Sequence, residues 1–263
     1  MIQKPMEGPA VRLRTVALPL EHGGWSMLGM PILLGLWVAF SWAGFALGVA
    51  AFGAFLTRQP LKLLLSDYRR GKRYPRTGWA LGFAAFYGGV ALLAFVTALL
   101  VTAHPFWLPL LPAIPLALIQ LRYDMRQQSR TTIAELAGAT ALGSLAPAIA
   151  LAGGAPLQPA LILWLLVAVH ECCAILYVAV RLKLARNAPA AQAPVYISHV
   201  GALALVGGLV AFGLAPALSI VAFTLLVMRA WLGLRPQSRH LRAALVGGQE
   251  VIFSLITVVC LAL

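Results

Sequence analysis

Residues 79–103 read WALGFAAFYGGVALLAFVTALLVTA, an apolar stretch without a single charged side chain. The hydrocarbon core of a bilayer is about 30 Å thick, and a helix needs about 20 apolar residues to cross it. This stretch is therefore long enough to form one transmembrane helix.

Comparable apolar stretches fill most of the remaining chain. Hydrophobic residues make up 61% of the 263 residues and charged residues 10%, whereas about a quarter of a typical soluble domain is charged. The pattern predicts an all-α, polytopic membrane helical bundle of about nine transmembrane helices. Residues 1–23 would form a cytoplasmic lead-in, and residues 24–263 a single transmembrane domain. The other predicted spans lie near residues 24–40, 42–57, 106–121, 133–153, 157–181, 196–213, 216–233 and 243–262.

The distribution of basic residues predicts the orientation. The chain has 20 Lys and Arg against 7 Asp and Glu, and all 20 fall at alternate breaks between the spans or at the adjoining helix ends. Cytoplasmic loops of membrane proteins carry an excess of Lys and Arg. We therefore expect a cytoplasmic N-terminus, an external C-terminus and a place in the bacterial inner membrane. Because topology accounts for the basic charge, a nucleic-acid partner is not expected.

Polar residues near the predicted cytoplasmic ends of helices one and two form the first candidate site. Glu21 and His22 are a candidate acid/base pair, although an acid in a first helical turn is also favoured by the helix dipole. If the second helix continues past residue 57, Arg58 and Lys62 share one face. They would then clamp an anion, with Gln59 as an orienting hydrogen-bond group. Attraction to anionic lipid alone is the alternative explanation for this basic segment.

The sixth predicted helix carries the second candidate site. Tyr177 and Arg181 share a face with His170, and we expect them to orient and clamp the same anion. Glu171 lies near the middle of the helix and is a candidate acid/base, with Glu250 at a comparable depth on the ninth helix. An ionisable residue inside a membrane is a functional candidate by default. The alternative is a neutral, hydrogen-bonded structural acid.

Three segments carry a resemblance to a known family. EHGGW at residues 21–25, RQPLKLLL at 58–65 and RRGKRYPR at 69–76 resemble the bacterial YwiC-like membrane family. This resemblance implies a membrane protein but no particular activity.

A more distant resemblance concerns the architecture. Nine helices, a long cytoplasmic second-to-third connection and RTTIAEL at residues 130–136 look like the UbiA-type intramembrane prenyltransferases. That resemblance implies aspartate-rich motifs after helices two and six that hold magnesium and a polyprenyl diphosphate. This chain instead carries Arg58 and Lys62, with only Asp67 nearby, and no acid between Arg181 and Arg186. We therefore expect no metal cofactor, with Mg²⁺ involved only if Asp67 or Glu21 coordinates it.

Three functions follow as alternatives. In the first, helices one, two and six converge on a cytoplasm-facing cavity that binds an anionic ligand, either lipidic or phosphorylated. Whether the protein is an enzyme, such as a UbiA-like transferase without the paired aspartate motifs, is left open. The second alternative is a small-molecule or ion transporter in which Glu171 and Glu250 relay protons or cations. The third is an assembly partner of a membrane complex. The expected partners are membrane lipids and an anionic small molecule or lipid, and no protein partner is specified.

Overall fold

The computed structural model describes residues 12–19, 24–126, 128–235 and 243–263. Throughout these ranges the regular structure is α-helical, which confirms the predicted all-α class for the described residues. The helices are α1 (Leu13–Ala17), α2 (Gly24–Val38), α3 (Trp42–Arg69), α4 (Pro75–Val101), α5 (Leu110–Met125), α6 (Thr132–Gly143), α7 (Leu145–Ala152), α8 (Leu157–Ala185), α9 (Ala193–Ala211), α10 (Leu218–Gly233) and α11 (Ala243–Ala262).

Each predicted span coincides with one of these helices, except that 133–153 is divided into α6 and α7 at Ser144. Among the described residues, five helical segments are long and apolar enough to cross a membrane, and α2 and α10 are shorter apolar helices. These segments indicate a membrane protein, while the number of crossings and their orientation stay predictions. The five are Pro75–Val101, Thr132–Ala152, Leu157–Ala185, Ala193–Ala211 and Ala244–Ala262.

Helix α3 is longer than the predicted span 42–57. It begins after Ser41, whose hydroxyl accepts a hydrogen bond from the Gly44 N–H at 2.9 Å, and it continues through Pro60 to Arg69. At about 1.5 Å per residue the helix measures roughly 40 Å, which exceeds a hydrocarbon core of about 30 Å. The second helix thus continues past residue 57, and Arg58 and Lys62 lie on one continuous helix.

The turn between α3 and α4 is set by local backbone chemistry. Gly71 has φ +61°, a left-handed conformation that glycine adopts without steric cost. Tyr74 precedes α4, and its N–H donates to the Thr77 hydroxyl at 3.0 Å. Pro75 occupies the first helical position, where its fixed φ is favourable. Helix α4 consequently begins four residues before the predicted start at residue 79.

The interior is built around α7, whose residues from Ala146 to Ala152 are all buried. Helix α2 packs directly on it, because a side chain at Gly35 would lie 2.8 Å from the Ala146 carbonyl oxygen. Small residues allow this close approach between helices in lipid. Helix α4 is by contrast the outermost element: it packs mainly on α3, and within it Ala80 and Ala98 are the fully buried residues. The bundle therefore has a dense α2–α7–α8 centre and a peripheral α4.

Candidate functional site

A cavity of about 770 Å³ lies between the C-terminal half of α3 and the C-terminal end of α5. Leucine side chains from both helices form its apolar surface, among them Leu61, Leu65 and Leu121. Its charged and amide lining groups are Arg58, Gln59, Lys62, Arg69, Arg70, Asp124 and Arg130. The cavity thus combines hydrocarbon with a strong excess of positive charge.

An ion pair between Arg58 and Asp124 spans this cavity from α3 to α5. The Arg58 Nε donates to Asp124 Oδ2 at 2.7 Å and its Nη2 to Oδ1 at 2.9 Å. The Asp124 side chain is 6% exposed and the Arg58 side chain 28%. A two-point contact of this kind fixes the guanidinium plane as well as neutralising charge. Arg58 is therefore held in one orientation at the cavity wall.

Two further contacts connect α3 to its neighbours around the cavity. The Gln59 amide donates to the Thr15 carbonyl oxygen on α1 at 3.2 Å. Arg69 donates from Nη1 to the Met125 carbonyl oxygen at the end of α5, at 3.1 Å. These bonds position α1 and α5 against α3. Lys62 is half-buried and lines the cavity.

Asp67 lies in the last turn of α3 and is fully buried. Arg76 donates to its Oδ1 at 2.8 Å, and the Thr77 hydroxyl donates to its Oδ2 at 2.8 Å. The hydrogen bond from Arg76 lowers the pKa of Asp67 below its ordinary value against the opposing effect of burial, and Thr77 contributes in the same direction. Both carboxylate oxygens thus serve to join α4 to α3.

The structure divides the predicted site residues between two places. Arg58, Gln59 and Lys62 line the α3–α5 cavity, whereas Tyr177 and Arg181 lie on α8 and are each 1% exposed. Tyr177 packs against α9 and α10. Within the described residues the two groups do not share one cavity. Glu21 and His22 lie outside the described residues.

The α8–α11 cluster is centred on Arg229 of α10, which is 6% exposed. Its Nη1 donates to Glu250 Oε2 on α11 at 2.5 Å, and its Nη2 lies 3.3 Å from His199 Nε2 on α9. The guanidinium carbon lies 4.5 Å from the centre of the Tyr177 ring and 5.2 Å from that of Phe253. Four helices therefore meet around one buried cation, which cation–π contacts and a carboxylate stabilise.

The hydrogen bonds in this cluster define the histidine tautomers. His199 Nδ1 lies 2.7 Å from the Val195 carbonyl oxygen, which can only accept. Nδ1 therefore carries the proton and Nε2 accepts from Arg229. This assignment makes His199 a neutral imidazole that satisfies one arm of the guanidinium.

His170 of α8 has an equivalent arrangement with α11. The Thr257 hydroxyl donates to the Phe253 carbonyl oxygen at 2.9 Å, so its oxygen accepts from His170 Nδ1 at 3.2 Å. His170 Nε2 then accepts from the Ser254 hydroxyl at 3.4 Å. His170 is thus a neutral residue that joins α8 to α11.

Glu171 faces the interior of the bundle and is 3% exposed. Its Oε1 has no hydrogen-bond partner among the described residues. Glu250 is also buried, and its Oε1 is likewise without a partner within the described ranges. Glu171 lies close enough to Glu250 and Arg229 to interact with both electrostatically, and of the two acids it is Glu250 that pairs with Arg229. The acid/base role of Glu171 stays a prediction.

In the part of the chain that the structure describes, no group of three His, Cys, Asp or Glu side chains is placed to hold a metal ion. This finding does not extend to Glu21. The involvement of Asp67 in bonds to Arg76 and Thr77 makes it a structural acid in this conformation.

Sequence reasoning missed Asp124, His199, Ser254 and Thr257. Asp124 is an isolated acid among the arginines at the end of α5, and that contrast is the signal that could have identified it. His199 and Thr257 carry no comparable signal, because their partners are 30 and 87 residues away in the chain.

The family model for YwiC-like proteins matches residues 18–150, about half of the chain. The matched region extends from the end of α1 into α7 and includes every described residue that lines the α3–α5 cavity. The α8–α11 cluster follows it in the chain. Comparison with curated proteins gives no match, and neither does comparison with solved structures. On the family match, the chain belongs to the YwiC-like protein family.

Proposed function

We propose that this YwiC-like membrane protein binds an anionic ligand that carries a phosphate or carboxylate group in the cavity between α3 and α5. The observation that carries the proposal is the charge of the cavity. Five cationic side chains line it against one acid, Asp124, among the described residues. Such an excess raises the local concentration of an anion and lowers its free energy in the cavity.

The cations approach the cavity from two sides. Lys62, Arg69 and Arg70 belong to the α3 side, and Arg130 to the segment that follows α5. Within the described residues these four form no ion pair with a carboxylate. They are therefore the groups that an incoming anion would engage, because several donors converging from different directions suit a tetrahedral phosphate.

Arg58 has a different part in this proposal. Its two-point pair with Asp124 already satisfies two of its donors, so it acts as a fixed element of the cavity wall. Arg181 lies on α8 and does not line this cavity, so it is not part of the proposed site. The second wall of the proposed site includes Arg130 instead.

Direct binding by cations requires no metal ion. Mg²⁺ in proteins is usually held by one or two carboxylates together with substrate phosphates, and the acid among the described lining residues, Asp124, is already paired with Arg58. We therefore propose metal-independent binding on the cytoplasmic side of a bacterial inner membrane. A UbiA-type architecture and a transferase activity are separate predictions that this binding does not require.

The test is a binding measurement on the full-length protein in detergent. Short-chain phosphatidic acid is titrated against wild type, the double variant Lys62→Ala/Arg130→Ala and the control Lys72→Ala/Arg73→Ala. The control removes the same charge from exposed positions in the α3–α4 turn that do not line the cavity. We expect the cavity variant to bind roughly tenfold more weakly, since partly exposed ion pairs contribute up to about 1 kcal/mol each. Equal affinity in the two double variants would contradict the proposal.

The second candidate is a transporter in which Glu171 and Glu250 relay protons or cations. It is favoured by the burial of both acids beside Arg229 and by their two oxygens without hydrogen-bond partners in the described residues. The test is flux of small anions into proteoliposomes with and without a pH gradient. Flux that is abolished in Glu171→Gln but preserved in the exposed variant Gln249→Ala would support transport. Absence of flux in wild type with intact phosphatidic acid binding contradicts it.

A further inference from the structure

A second, almost wholly apolar cavity of about 380 Å³ lies on the other half of α3. Helix α3 forms its floor with Phe45, Phe52 and Leu56, while α2 and α4 form its walls with Leu36 and Val90. We call this space the α2–α4 groove. One of its walls, α4, is the outermost helix of the bundle.

Two glycines of α3 set the width of the groove. A Cβ at Gly48 would lie 3.1 Å from Ile32 Cγ2 on α2, and a Cβ at Gly53 would lie 2.9 Å from the Tyr87 carbonyl oxygen on α4. Both walls therefore approach the backbone of α3 closely, and the space between them is a narrow, shaped channel.

The groove and the basic cavity are lined by neighbouring residues of α3. Gly53 and Leu56 line the groove, while Ala54 and Thr57 line the cavity. Gly53 and Thr57 are one turn apart on the same helical face, and the Thr57 hydroxyl donates to the Gly53 carbonyl oxygen at 2.8 Å. The apolar and the basic spaces thus border the same turn of α3.

The length of the groove matches one leaflet. Phe45 and Leu56 are separated by roughly 16 Å along the helix, which is about half of a 30 Å hydrocarbon core. An anion held by Lys62 and Arg130 would lie at the end of this apolar path that adjoins the charged residues.

From this juxtaposition we infer that the ligand of the α3–α5 cavity is a membrane lipid with an anionic headgroup, and that one hydrocarbon chain of this lipid lies in the α2–α4 groove. The inference rests on the proposed function, because the headgroup is the anion of that proposal. A soluble phosphate compound would fill the basic cavity and leave the adjoining groove without a role. A zwitterionic lipid would match the groove but not the excess of positive charge.

The experiment uses the full-length protein and two probes that share a headgroup. Long-chain phosphatidic acid has the chains, and glycerol 3-phosphate has none. Val90→Phe fills the groove from α4, and Val96→Phe places the same substitution on an exposed part of α4 that does not line it. Binding is measured by displacement of fluorescent phosphatidic acid and by calorimetry for glycerol 3-phosphate, after thermal unfolding has established that both variants fold.

We expect wild type to bind phosphatidic acid at least tenfold more tightly than glycerol 3-phosphate. Val90→Phe should lower phosphatidic acid affinity about tenfold relative to Val96→Phe and leave glycerol 3-phosphate binding unchanged. Equal affinity of wild type for the two probes would overturn the lipid inference and leave the proposed function intact. Unchanged phosphatidic acid binding in Val90→Phe would overturn the placement of the chain. Failure of both probes to bind would refute the proposed function itself, and the inference with it.

If Val90→Phe does not fold, the result comes from wild type alone. A series of phosphatidic acids of increasing chain length should then show affinity that rises until the chain spans the groove and levels off beyond it. Affinity independent of chain length would overturn the inference.

Discussion

The Arg58 guanidinium on α3 and the Asp124 carboxylate on α5 form a two-point ion pair across the basic cavity, with N–O distances of 2.7 and 2.9 Å. Together with the hydrogen bond from Arg69 to the Met125 carbonyl oxygen, this pair links the two helices that enclose the proposed ligand site. The pair also neutralises the positive charge of Arg58, because Asp124 is the acid among the described residues that line the cavity.

Asp124→Asn should therefore have opposite effects on stability and on binding. The substitution leaves Arg58 without its carboxylate, which we expect to cost about 1–2 kcal/mol, between the values for exposed and buried pairs. It also adds net positive charge to the cavity and should tighten phosphatidic acid binding severalfold. Thermal unfolding and lipid titration on the same preparation test both effects. Weaker binding at unchanged stability would contradict this role for the pair.

Asp67 should make the junction of α3 and α4 sensitive to acid. Its pKa in the folded protein is below the ordinary value of 3.8, so the carboxylate stabilises the fold above about pH 4. That contribution is lost as the pH falls from 3.8 through the lower folded value. Asp67→Asn should remove this part of the pH dependence and destabilise the protein at neutral pH by about 1–3 kcal/mol. Unfolding midpoints between pH 7 and about pH 2 provide the test. A pH profile identical to wild type would contradict it.

The Arg229–Glu250 pair should be sensitive to the loss of one partner. Glu250→Gln leaves a buried guanidinium without a counter-charge and should cost about 3–5 kcal/mol. Replacing both residues together, as Arg229→Met/Glu250→Leu, removes both charges and should recover most of that loss. The exposed neighbour variant Gln249→Ala is the control. Unfolding in detergent measures the series, and a double variant less stable than Glu250→Gln would argue against an uncompensated charge as the cause.

Reporter fusions test the topology that the basic residues predict. Fusions at Arg70, Arg126, Arg186 and Ser238 should report the cytoplasm, and a fusion at Leu263 the outside. A cytoplasmic signal at Leu263 would show that the predicted helix number is wrong by at least one.

Ligand binding should survive removal of divalent metal ions. Lys62, Arg69, Arg70 and Arg130 supply enough positive charge to neutralise a phosphate directly. Phosphatidic acid affinity is measured before and after treatment with EDTA, with Mg²⁺ restored in a third sample. Loss with EDTA and recovery with Mg²⁺ would make an acid such as Glu21 or Asp67 a metal ligand.

Helix positions could be predicted from the sequence because apolar stretches long enough for a bilayer are a strong local signal. Residues 79–103 illustrate this, and α4 differs from the prediction mainly at its N-terminal end, where Pro75 and Thr77 start the helix earlier. The extension of α3 past residue 57 was harder to judge, since Pro60 and several cations usually mark the end of a helix.

Helix partners could not be predicted in the same way. The burial of Glu171 and Glu250 followed from their depth, but their common association with Arg229 depends on how α8, α10 and α11 pack. Arg229 itself looked like one more cytoplasmic cation. Its position beside His199 and Tyr177 arises from contacts between distant segments, for which a single sequence carries no local signal.

The peripheral place of α4 has a consequence for how this chain can change. Apart from Ala80 and Ala98, its side chains are not fully buried, and large apolar residues such as Leu92, Leu93 and Leu100 are mostly exposed. Exchange of one aliphatic residue for another at these positions alters neither a packed contact nor the apolar character of the surface. Among homologous sequences, we therefore expect substitutions to accumulate quickly on the outer face of α4 and slowly at Tyr87 and Val90, where the same helix borders the groove.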